Sequence, residues 1–385
     1  MRELIDRDFL NIVKAALWNE AMPEVEMSEE LIRLIMRQGV GPLVFPALLE
    51  KPLSGSPLKG GELGLLKAVC IQNMQTQAKM QIVLEQAWKA LEKAGIKAVL
   101  MKGAGLAALY PDPSMRQWGD IDLFVGKEQY HPACAVMRET FPKALKFDEE
   151  LDHYKHYNII ADGVSIETHR VSVSLTHPRD VRCYAEMERY GMANSEGLKV
   201  SGLELRVPEP TFNALMVFLH AWEHLMTEGA NIRQLCDLAL LLHHKREAID
   251  WKRLEQWLKA LKAWDVWQVY MVVLKHYLGL KDASLQELGN RKGEDASLQE
   301  LGLRAERLAE AMLNGETFEG VKEASATGQP VTYSNRFVRK WHTMQVRIAN
   351  AEWLAQFSPA YARHQKAAIW LSGLSRLFAK DRHWE

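Results

Sequence analysis

The first part of the chain repeats hydrophobic residues with the spacing of an α-helix. The clearest set is Ile32, Ile35, Met36 and Val40. Side chains at this spacing share one face of a helix, and such a face is buried in a globular protein. Residues 63–94 continue without a proline, and Gly95 then marks the end of the helical pattern. The pattern predicts a helical N-terminal region over residues 1–94.

Shorter patterns that are typical of strands follow this region. Residues 96–103 (IKAVLMKG) predict a short buried strand that runs into a glycine, and residues 105–110 predict a helical turn. Residues 120–125 (DIDLFV) alternate polar and apolar side chains, which is the period of a strand. Residues 127–141 have a helical composition, and we expect Pro132 in the first turn of that helix. Strands should therefore alternate with helices here.

The segment around Asp162-Gly163 predicts a β-hairpin. Two β-prone runs, residues 154–160 and 164–170, flank this dipeptide. Asp-Gly is favoured in the tight turns that join antiparallel strands. Together with the preceding elements, the hairpin predicts that residues 95–170 mix strands and helices, within a core that we place at about residues 95–207.

The remainder of the chain is predicted to be helical. Residues 211–280 are rich in Leu, Met, Trp and His at helical spacing, and we predict a helical C-terminal domain over residues 208–385. The octapeptide DASLQELG occurs twice, at 282–289 and 295–302, which indicates a local duplication in a surface segment. Residues 315–335 are the best candidate for a loop.

Composition places the chain among ordinary globular proteins. Of its 385 residues, 48% are hydrophobic and 25% are charged, which excludes fibrous and disordered classes. The formal net charge of -1 provides no bulk positive field for nucleic acid or anionic lipid. Residues 336–385 carry nine Lys or Arg against three acidic residues. A solvated helix face explains this excess better than a phosphate-binding surface does.

Signals for export or metal knuckles are not found in the sequence. The N-terminus, MRELIDRDFL, is charged where a signal peptide needs an apolar core, and no apolar run approaches ~18 residues. We therefore expect a cytoplasmic protein without membrane insertion. The cysteines are too far apart for a C-x-x-C motif, so reduced and mostly buried thiols are expected. They are Cys70, Cys134, Cys183 and Cys236.

Asp120 and Asp122 are the strongest candidates for chemistry. Residues two apart on a strand point to the same face, while Ile121 between them points to the other. Two carboxylates on one face can hold Mg2+ against a triphosphate. The same spacing at Asp6 and Asp8 falls in a predicted helix, where the side chains diverge. The residues around Asp120 and Asp122 must therefore decide whether this pair binds a metal ion.

The residues around this pair form a longer pattern. It consists of Lys102-Gly103, Tyr110, Arg116, Asp120-Ile121-Asp122-Leu123-Phe124-Val125 and Ile166-Glu167-Thr168-His169, followed by His220, His224, Arg233 and Asp237. The pattern resembles the polymerase-beta-like nucleotidyltransferase superfamily, most closely its bacterial branch of uncharacterised nucleotidyltransferases, over roughly residues 30–255. The resemblance implies an α+β fold: a small mixed-sheet nucleotidyltransferase core flanked by helical N-terminal and C-terminal regions.

The resemblance also implies roles for these residues. Asp120, Asp122 and Glu167 would be catalytic and would hold Mg2+, with Mn2+ as the alternative ion. Nucleotide contacts would come from Lys102, Gly103, Arg116, His169, His220, His224, Arg233 and Asp237. Among these, Lys102 and Arg116 would neutralise triphosphate oxygens as charge develops on the leaving group.

The implied reaction transfers a nucleoside monophosphate from an NTP such as ATP to an acceptor hydroxyl and releases pyrophosphate. The acceptor would be a small molecule, a carrier or a protein, since the net charge argues against a long nucleic acid. Two departures leave an alternative open. Lys102-Gly103 replaces the Gly-Ser of the wider superfamily, and Glu167 stands where Asp is commoner. A nucleotide-binding or interaction module without turnover would explain both.

A zinc hydrolase is a further alternative. His220, Glu223 and His224 match the pattern H-x-x-E-H, which places both histidines on one face of a helix. The apolar residues around them favour a packed helix without metal, or a wall of the nucleotide pocket. Another pair, His153 and His156, is predicted to belong to a solvated cluster at the edge of the hairpin.

Overall fold

The computed structural model describes residues 2–25, 27–50, 60–147, 151, 153–175, 177–227, 229–281, 295–314 and 336–378. The loop predicted at 315–335 and the first copy of the repeated octapeptide, at 282–289, lie outside these residues. The second copy, at 295–302, begins a helix.

Within the described part of residues 1–94, the chain forms four helices, as the hydrophobic pattern predicts. They are α1 (Arg2–Leu17), α2 (Glu29–Arg37), α3 (Gly41–Glu50) and α4 (Gly60–Lys93). The hydroxyl of Ser28 accepts a hydrogen bond from the backbone N–H of Leu31 at 3.2 Å. This bond satisfies one of the free donors at the start of α2. Ile32 and Ile35 lie on the buried face of that helix.

A mixed five-stranded sheet follows. Its strands are β1 (Val99–Met101), β2 (Asp120–Phe124), β3 (Leu145–Lys146), β4 (His156–Ala161) and β5 (Val164–His169). Their order is β1-β2-β5-β4-β3. Strands β2 and β5 are parallel, and the other neighbours are antiparallel. Helix α5 (Gly103–Ala107) follows β1, and α6 (Gly126–Thr140) follows β2. The architecture confirms the predicted α+β class.

The turn between β4 and β5 is the predicted Asp-Gly turn. Asp162 has φ 51° and Gly163 has φ 81°, which is the left-handed conformation that a two-residue type I′ turn requires. The turn aligns β5 against β4, and β5 then pairs with β2. In that parallel pairing Asp122 lies beside Glu167. The carboxylates of two distant segments thus meet in the middle of the sheet.

Helix α6 departs from the prediction at Pro132. This proline lies in the second turn of the helix and not in the first. A proline inside a helix removes one internal hydrogen bond. The helix continues because Cys134 and Met137, which follow the proline, are buried in the core, and their burial offsets the lost bond.

Two further elements complete residues 95–207. Helix α7 spans Pro178–Ala193, and a separate two-stranded sheet is formed by β6 (Glu196–Val200) and β7 (Leu203–Val207). The sequence analysis predicted neither element. The signal for the second hairpin was the Ser201-Gly202 dipeptide, whose residues have φ 48° and 85°. It was weak because few side chains of these strands are buried.

The described part of residues 208–378 is helical. Its helices are α8 (Pro210–Thr227), α9 (Ile232–His244), α10 (Trp251–Ala260), α11 (Trp264–His276), α12 (Asp295–Asn314), α13 (Arg336–Trp353) and α14 (Pro359–Phe378). No helix in the described part of the chain combines the length and the apolar character needed to cross a membrane.

The buried side chains form two main clusters. One joins α1, α2 and α3 to the C-terminal helices and includes Phe9, Trp222 and Trp267. The other packs α4 and α6 against the sheet and includes Trp88 and Ile121. Helix α4 therefore contributes to the core of the sheet. The boundaries predicted after residues 94 and 207 stay predictions.

The cysteines are free thiols, in agreement with the sequence analysis. Cys70, Cys134 and Cys236 are buried, and Cys183 is half-buried. Burial raises the pKa of the Cys70 thiol to about 11, so this side chain stays protonated and unreactive at neutral pH.

A glycine allows α7 and α8 to pack closely. A Cβ atom at Gly191 would overlap with the side chain of Phe212. We expect Gly191→Ala to lower the free energy of unfolding by about 1–3 kcal/mol in urea titrations, since the neighbouring atoms must shift. The control is Gly302→Ala in α12, where a Cβ atom meets nothing within 4 Å. Equal stabilities of the two variants would contradict the close packing.

Candidate active site

Three carboxylates converge on one face of the sheet. Asp120 and Asp122 lie two residues apart on β2, and Glu167 is the register partner of Asp122 on β5. One carboxylate oxygen from each of the three lies within 4.8 Å of the others. Side chains at register partners of neighbouring strands point to the same face. The sheet therefore collects the three acids that the sequence analysis proposed as metal ligands.

Asp122 is buried and is neutralised by two cations. Its side chain is 1% exposed, and its Oδ1 atom lies 2.9 Å from Lys102 Nζ and 2.9 Å from His169 Nε2. Although burial opposes ionisation, Lys102 and His169 together hold the pKa of Asp122 well below its usual range. Asp122 is thus a permanent carboxylate at neutral pH.

Lys102 and Gly103 approach the carboxylates through an unusual turn. Lys102 has φ 49° and Gly103 has φ 36° where β1 passes into α5. A Cβ atom at Gly103 would lie 3.3 Å from the ring of Trp118 and 3.5 Å from the carbonyl oxygen of Asp120. The glycine lets the backbone pass close to β2, and the lysine side chain turns back to Asp122.

His169 lies beneath the carboxylates and is completely buried. Its Nδ1–H donates to the carbonyl oxygen of Val171 at 3.2 Å. Its Nε2 faces Asp122 Oδ1 at 2.9 Å and Glu167 Oε2 at 3.0 Å. Burial opposes protonation, but hydrogen bonds to the two carboxylates outweigh it and raise the pKa of His169. The sequence analysis proposed His169 as a nucleotide contact; the structure places it as a support for the acids.

Asp120 is the carboxylate of the three whose ionised form is disfavoured. The neighbouring charge of Asp122, together with burial, raises the pKa of Asp120 to about 6. The Oδ2 atom of Asp122 is also buried and has no hydrogen-bond partner among the described residues. Clustered carboxylate oxygens with an unsatisfied buried acceptor fit a divalent cation, since such an ion relieves their repulsion.

Arg116 and Asp237 are bound to each other. Arg116 Nε donates to Asp237 Oδ1 at 2.7 Å, and Arg116 Nη2 donates to Oδ2 at 2.8 Å. The hydroxyl of Tyr110 donates to the same carboxylate at 2.8 Å. Both charged side chains are at most 5% exposed. The sequence analysis proposed Arg116 and Asp237 as separate nucleotide contacts, and the structure brings them together as a buried bidentate ion pair.

The other predicted nucleotide contacts lie on α8 and α9. His220 and His224 meet through their Nε2 atoms at 3.2 Å. Burial and the nearby ammonium of Lys102 lower the pKa of His220 well below its usual value, so its ring is neutral. Arg233 donates from Nη1 to the carbonyl oxygen of Gln117 at 2.8 Å. Gln117 lies three residues before Asp120, so Arg233 holds the backbone segment that leads into β2.

The zinc pattern on α8 does not form a three-ligand cluster in the described part of the chain. The carboxylate of Glu223 lies 3.3 Å from Lys155 Nζ. The described residues hold three groups with metal-ligand spacing, and none contains His220, Glu223 or His224. They are Asp120, Asp122 and Glu167; His156, Glu167 and His169; and His177, Asp180 and His364.

His156 lies nearer to the carboxylates than the sequence analysis predicts. Its Nδ1 atom is buried and lies 3.5 Å from Glu167 Oε2. Burial lowers the pKa of His156 to about 4, so the ring is neutral, although its side chain is 23% exposed and its ring lies 5.4 Å from that of His153. The signal was present, because a two-residue turn at Asp162-Gly163 places His156 opposite His169.

Comparison with known proteins gives two findings. A family model described as an uncharacterised nucleotidyltransferase matches residues 25–279. Among solved structures, the chain is similar to the crystal structure of an antigenic nucleotidyltransferase-like protein from Paracoccidioides brasiliensis. The two share 17% sequence identity with a TM-score of 0.29, over 48% of this chain and 91% of that chain. The comparison with curated proteins finds no match.

Proposed function

The chain belongs to the uncharacterised nucleotidyltransferase family, and we propose that it transfers a nucleoside monophosphate from an NTP to an acceptor hydroxyl with release of pyrophosphate. The observation that carries the proposal is the register of β2 and β5. It brings Asp120, Asp122 and Glu167 within 4.8 Å on one face. Lys102 adds an ammonium to the same face.

The three acids are the proposed ligands of a divalent cation, Mg2+ or Mn2+. When bound, such an ion neutralises phosphate oxygens and lowers the pKa of a bound hydroxyl. Asp122 and Glu167 are held in place by His169, which contacts both. A fixed carboxylate orientation reduces the cost of reorganisation during the reaction.

Lys102 supplies positive charge for the triphosphate. Burial favours its neutral amine, but the charges of Asp122 and Asp120 raise the pKa of Lys102, so it stays protonated. In the proposed reaction the acceptor oxygen bonds to the α-phosphorus, the bond to the β-phosphate oxygen breaks, and the acceptor proton leaves to solvent. Lys102 stabilises the charge that develops on pyrophosphate.

The acceptor is proposed to be a small molecule, a carrier or a protein. The formal net charge of -1 supports this choice over a long polynucleotide, because binding to nucleic acid depends on neutralising many phosphates. His220, His224 and Arg233 are proposed as further nucleotide contacts, with the neutral imidazole of His220 as a hydrogen-bonding group.

Pyrophosphate release tests the proposal. The wild type is incubated with each NTP, a divalent cation and an acceptor library, and pyrophosphate is measured with a coupled assay. We expect Lys102→Met to lower the rate about 10–100-fold, since one charged contact to the leaving group is lost. The matched control is Lys97→Met, an exposed lysine just before β1, and it should keep the wild-type rate.

Two outcomes would contradict this function. If NTPs bind but no pyrophosphate is released with any acceptor, the chain is a nucleotide-binding module without turnover. If no NTP binds and no pyrophosphate is released, the three carboxylates do not form a site for a nucleoside triphosphate. Binding is measured by the shift in Tm, since a ligand at 100 times its Kd adds about 2.7 kcal/mol of stability.

A further inference from the structure

The chain segment that follows β5 is held by a carboxyl group on α7. Ser172 lies three residues after His169, the last residue of β5. Its backbone N–H, at 2.7 Å, and its hydroxyl, at 2.6 Å, both donate to Glu188 Oε1. The hydroxyl of Tyr184 lies 2.8 Å from Ser172 Oγ. Tyr184 and Glu188 are four residues apart on α7 and therefore share one face of this helix.

These three side chains are buried together. Ser172 and Tyr184 are each 2% exposed, and Glu188 is 7% exposed. Burial raises the pKa of Glu188, although the two hydrogen bonds from Ser172 lower it. A buried N–H that loses its acceptor costs free energy, since water does not replace the lost bond. The carboxyl group of Glu188 therefore acts as a fixed acceptor for the backbone at Ser172.

One peptide group connects Glu188 to His169. The carbonyl oxygen of Val171 accepts the Nδ1–H of His169 at 3.2 Å. This carbonyl and the N–H of Ser172 belong to the same planar peptide group, which cannot bend between them. Glu188 and His169 thus bind the two ends of one rigid unit. The Nε2 atom of His169 then lies 2.9 Å from Asp122 Oδ1 and 3.0 Å from Glu167 Oε2.

We propose that Glu188 is a positioning residue for the candidate active site: through the Val171–Ser172 peptide group it fixes the ring of His169, which in turn orients Asp122 and Glu167. Hydrogen bonds behind the groups that bind a ligand fix the orientation of those groups, and their loss typically lowers affinity or activity about 10–100-fold. The inference rests on the proposed function, since Asp122 and Glu167 are proposed there as catalytic. It gives a role to α7, which the sequence analysis did not predict.

Nuclear magnetic resonance of the full-length protein measures how firmly His169 is held. Histidine is labelled with nitrogen-15, and the Nδ1–H signal of His169 is assigned by its absence from His169→Gln. Glu188→Leu removes the acceptor of both Ser172 bonds. At constant pH, the Nδ1–H of His169 should then exchange with water at least about tenfold faster, because the carbonyl of Val171 is no longer held. Glu188→Gln keeps an oxygen acceptor in the same place and should retain the wild-type exchange rate.

Glu209 supplies the matched control. Its carboxylate accepts hydrogen bonds from Thr211 Oγ1 at 2.7 Å and from the backbone N–H of Phe212 at 2.9 Å, which are the same kinds of donor that Glu188 binds. Glu209→Leu should therefore lower stability and leave the exchange rate at His169 unchanged. Ser172→Ala is a milder variant that removes only the hydroxyl bond. It should accelerate the exchange by a smaller factor, and it carries the test if Glu188→Leu does not fold.

Pyrophosphate release gives the second readout. Glu188→Leu should lower kcat about tenfold, since the carboxylates lose their alignment, and change KM for NTP less than about twofold. Glu188→Gln should retain both constants. Wild-type exchange at His169 in Glu188→Leu and Ser172→Ala, or an equal acceleration in Glu209→Leu, would overturn the inference. If the wild type releases no pyrophosphate, the proposed function fails, and the exchange rates still decide whether Glu188 fixes His169.

Discussion

Asp120→Asn is expected to lower nucleotidyl transfer about 1,000-fold and, at the same time, to stabilise the metal-free protein. The loss of rate follows from the loss of one of three proposed metal ligands, since a bound cation contributes several kcal/mol to charge stabilisation. Pyrophosphate release at saturating NTP measures it. The gain in stability follows from the repulsion between Asp120 and Asp122, which raises the pKa of Asp120 to about 6.

The sign of this gain can be checked against pH. Because the folded protein binds the Asp120 proton up to a pKa of about 6 and the ordinary value is 3.8, the folded state holds more protons between these values. Wild-type stability contributed by this group therefore falls as the pH rises from about 4 to about 6. Below about pH 4, Asp120→Asn and the wild type should have the same free energy of unfolding. Above about pH 6, the variant should be more stable by on the order of 2 kcal/mol.

The control for this prediction is Asp162→Asn. Asp162 is exposed in the β4–β5 turn, and asparagine tolerates its left-handed conformation. This variant should keep both the rate and the pH profile of the wild type. A variant Asp120→Asn that loses stability at pH 7 would show that the carboxylate is held by attraction, and that like-charge repulsion does not dominate at the site.

Asp237→Asn is expected to destabilise the protein by about 3–5 kcal/mol. The substitution leaves the guanidinium of Arg116 buried without a charged partner, which costs more than an exposed ion pair contributes. Arg116 is 4% exposed and makes two hydrogen bonds to Asp237. Urea titration of the free energy of unfolding measures the effect.

Two further variants distinguish the cost of breaking this buried ion pair from the cost of losing an exposed ion pair. Glu196→Gln breaks the half-exposed pair with Lys245 and should cost less than about 1 kcal/mol. The double variant Arg116→Met with Asp237→Leu removes both charges and should recover part of the loss. If Asp237→Asn costs less than about 1 kcal/mol and instead raises the Kd for NTP, the carboxylate acts on the nucleotide and not on Arg116.

Much of the proposed site could be predicted because its signals are local. Alternation in DIDLFV predicted β2 and the common face of Asp120 and Asp122. The Asp-Gly dipeptide predicted the hairpin that carries Glu167. Each of these patterns depends only on residues that are close in the chain, either along one strand or within one turn. A single sequence is therefore enough to recognise them.

The partners of the charged residues could not be predicted in the same way. Arg116 and Asp237 are 121 positions apart, and their pairing depends on where α9 packs against the loop after α5. The same limit applies to the 3.5 Å approach of His156 to Glu167, since hairpin pairing alone does not tell how far each side chain reaches toward its neighbours.

Strand periodicity and turn preferences can be recognised in a single sequence, and they predict the carboxylate face, the lysine-glycine turn and the family. The pairs of charges that neutralise one another, in contrast, become known only from the packed fold. Lys102 and His169 share Asp122, while Arg116 is occupied by Asp237. The physical reason is that the energy of a charge depends on distance and burial in three dimensions, whereas strand periodicity depends on neighbours along the chain.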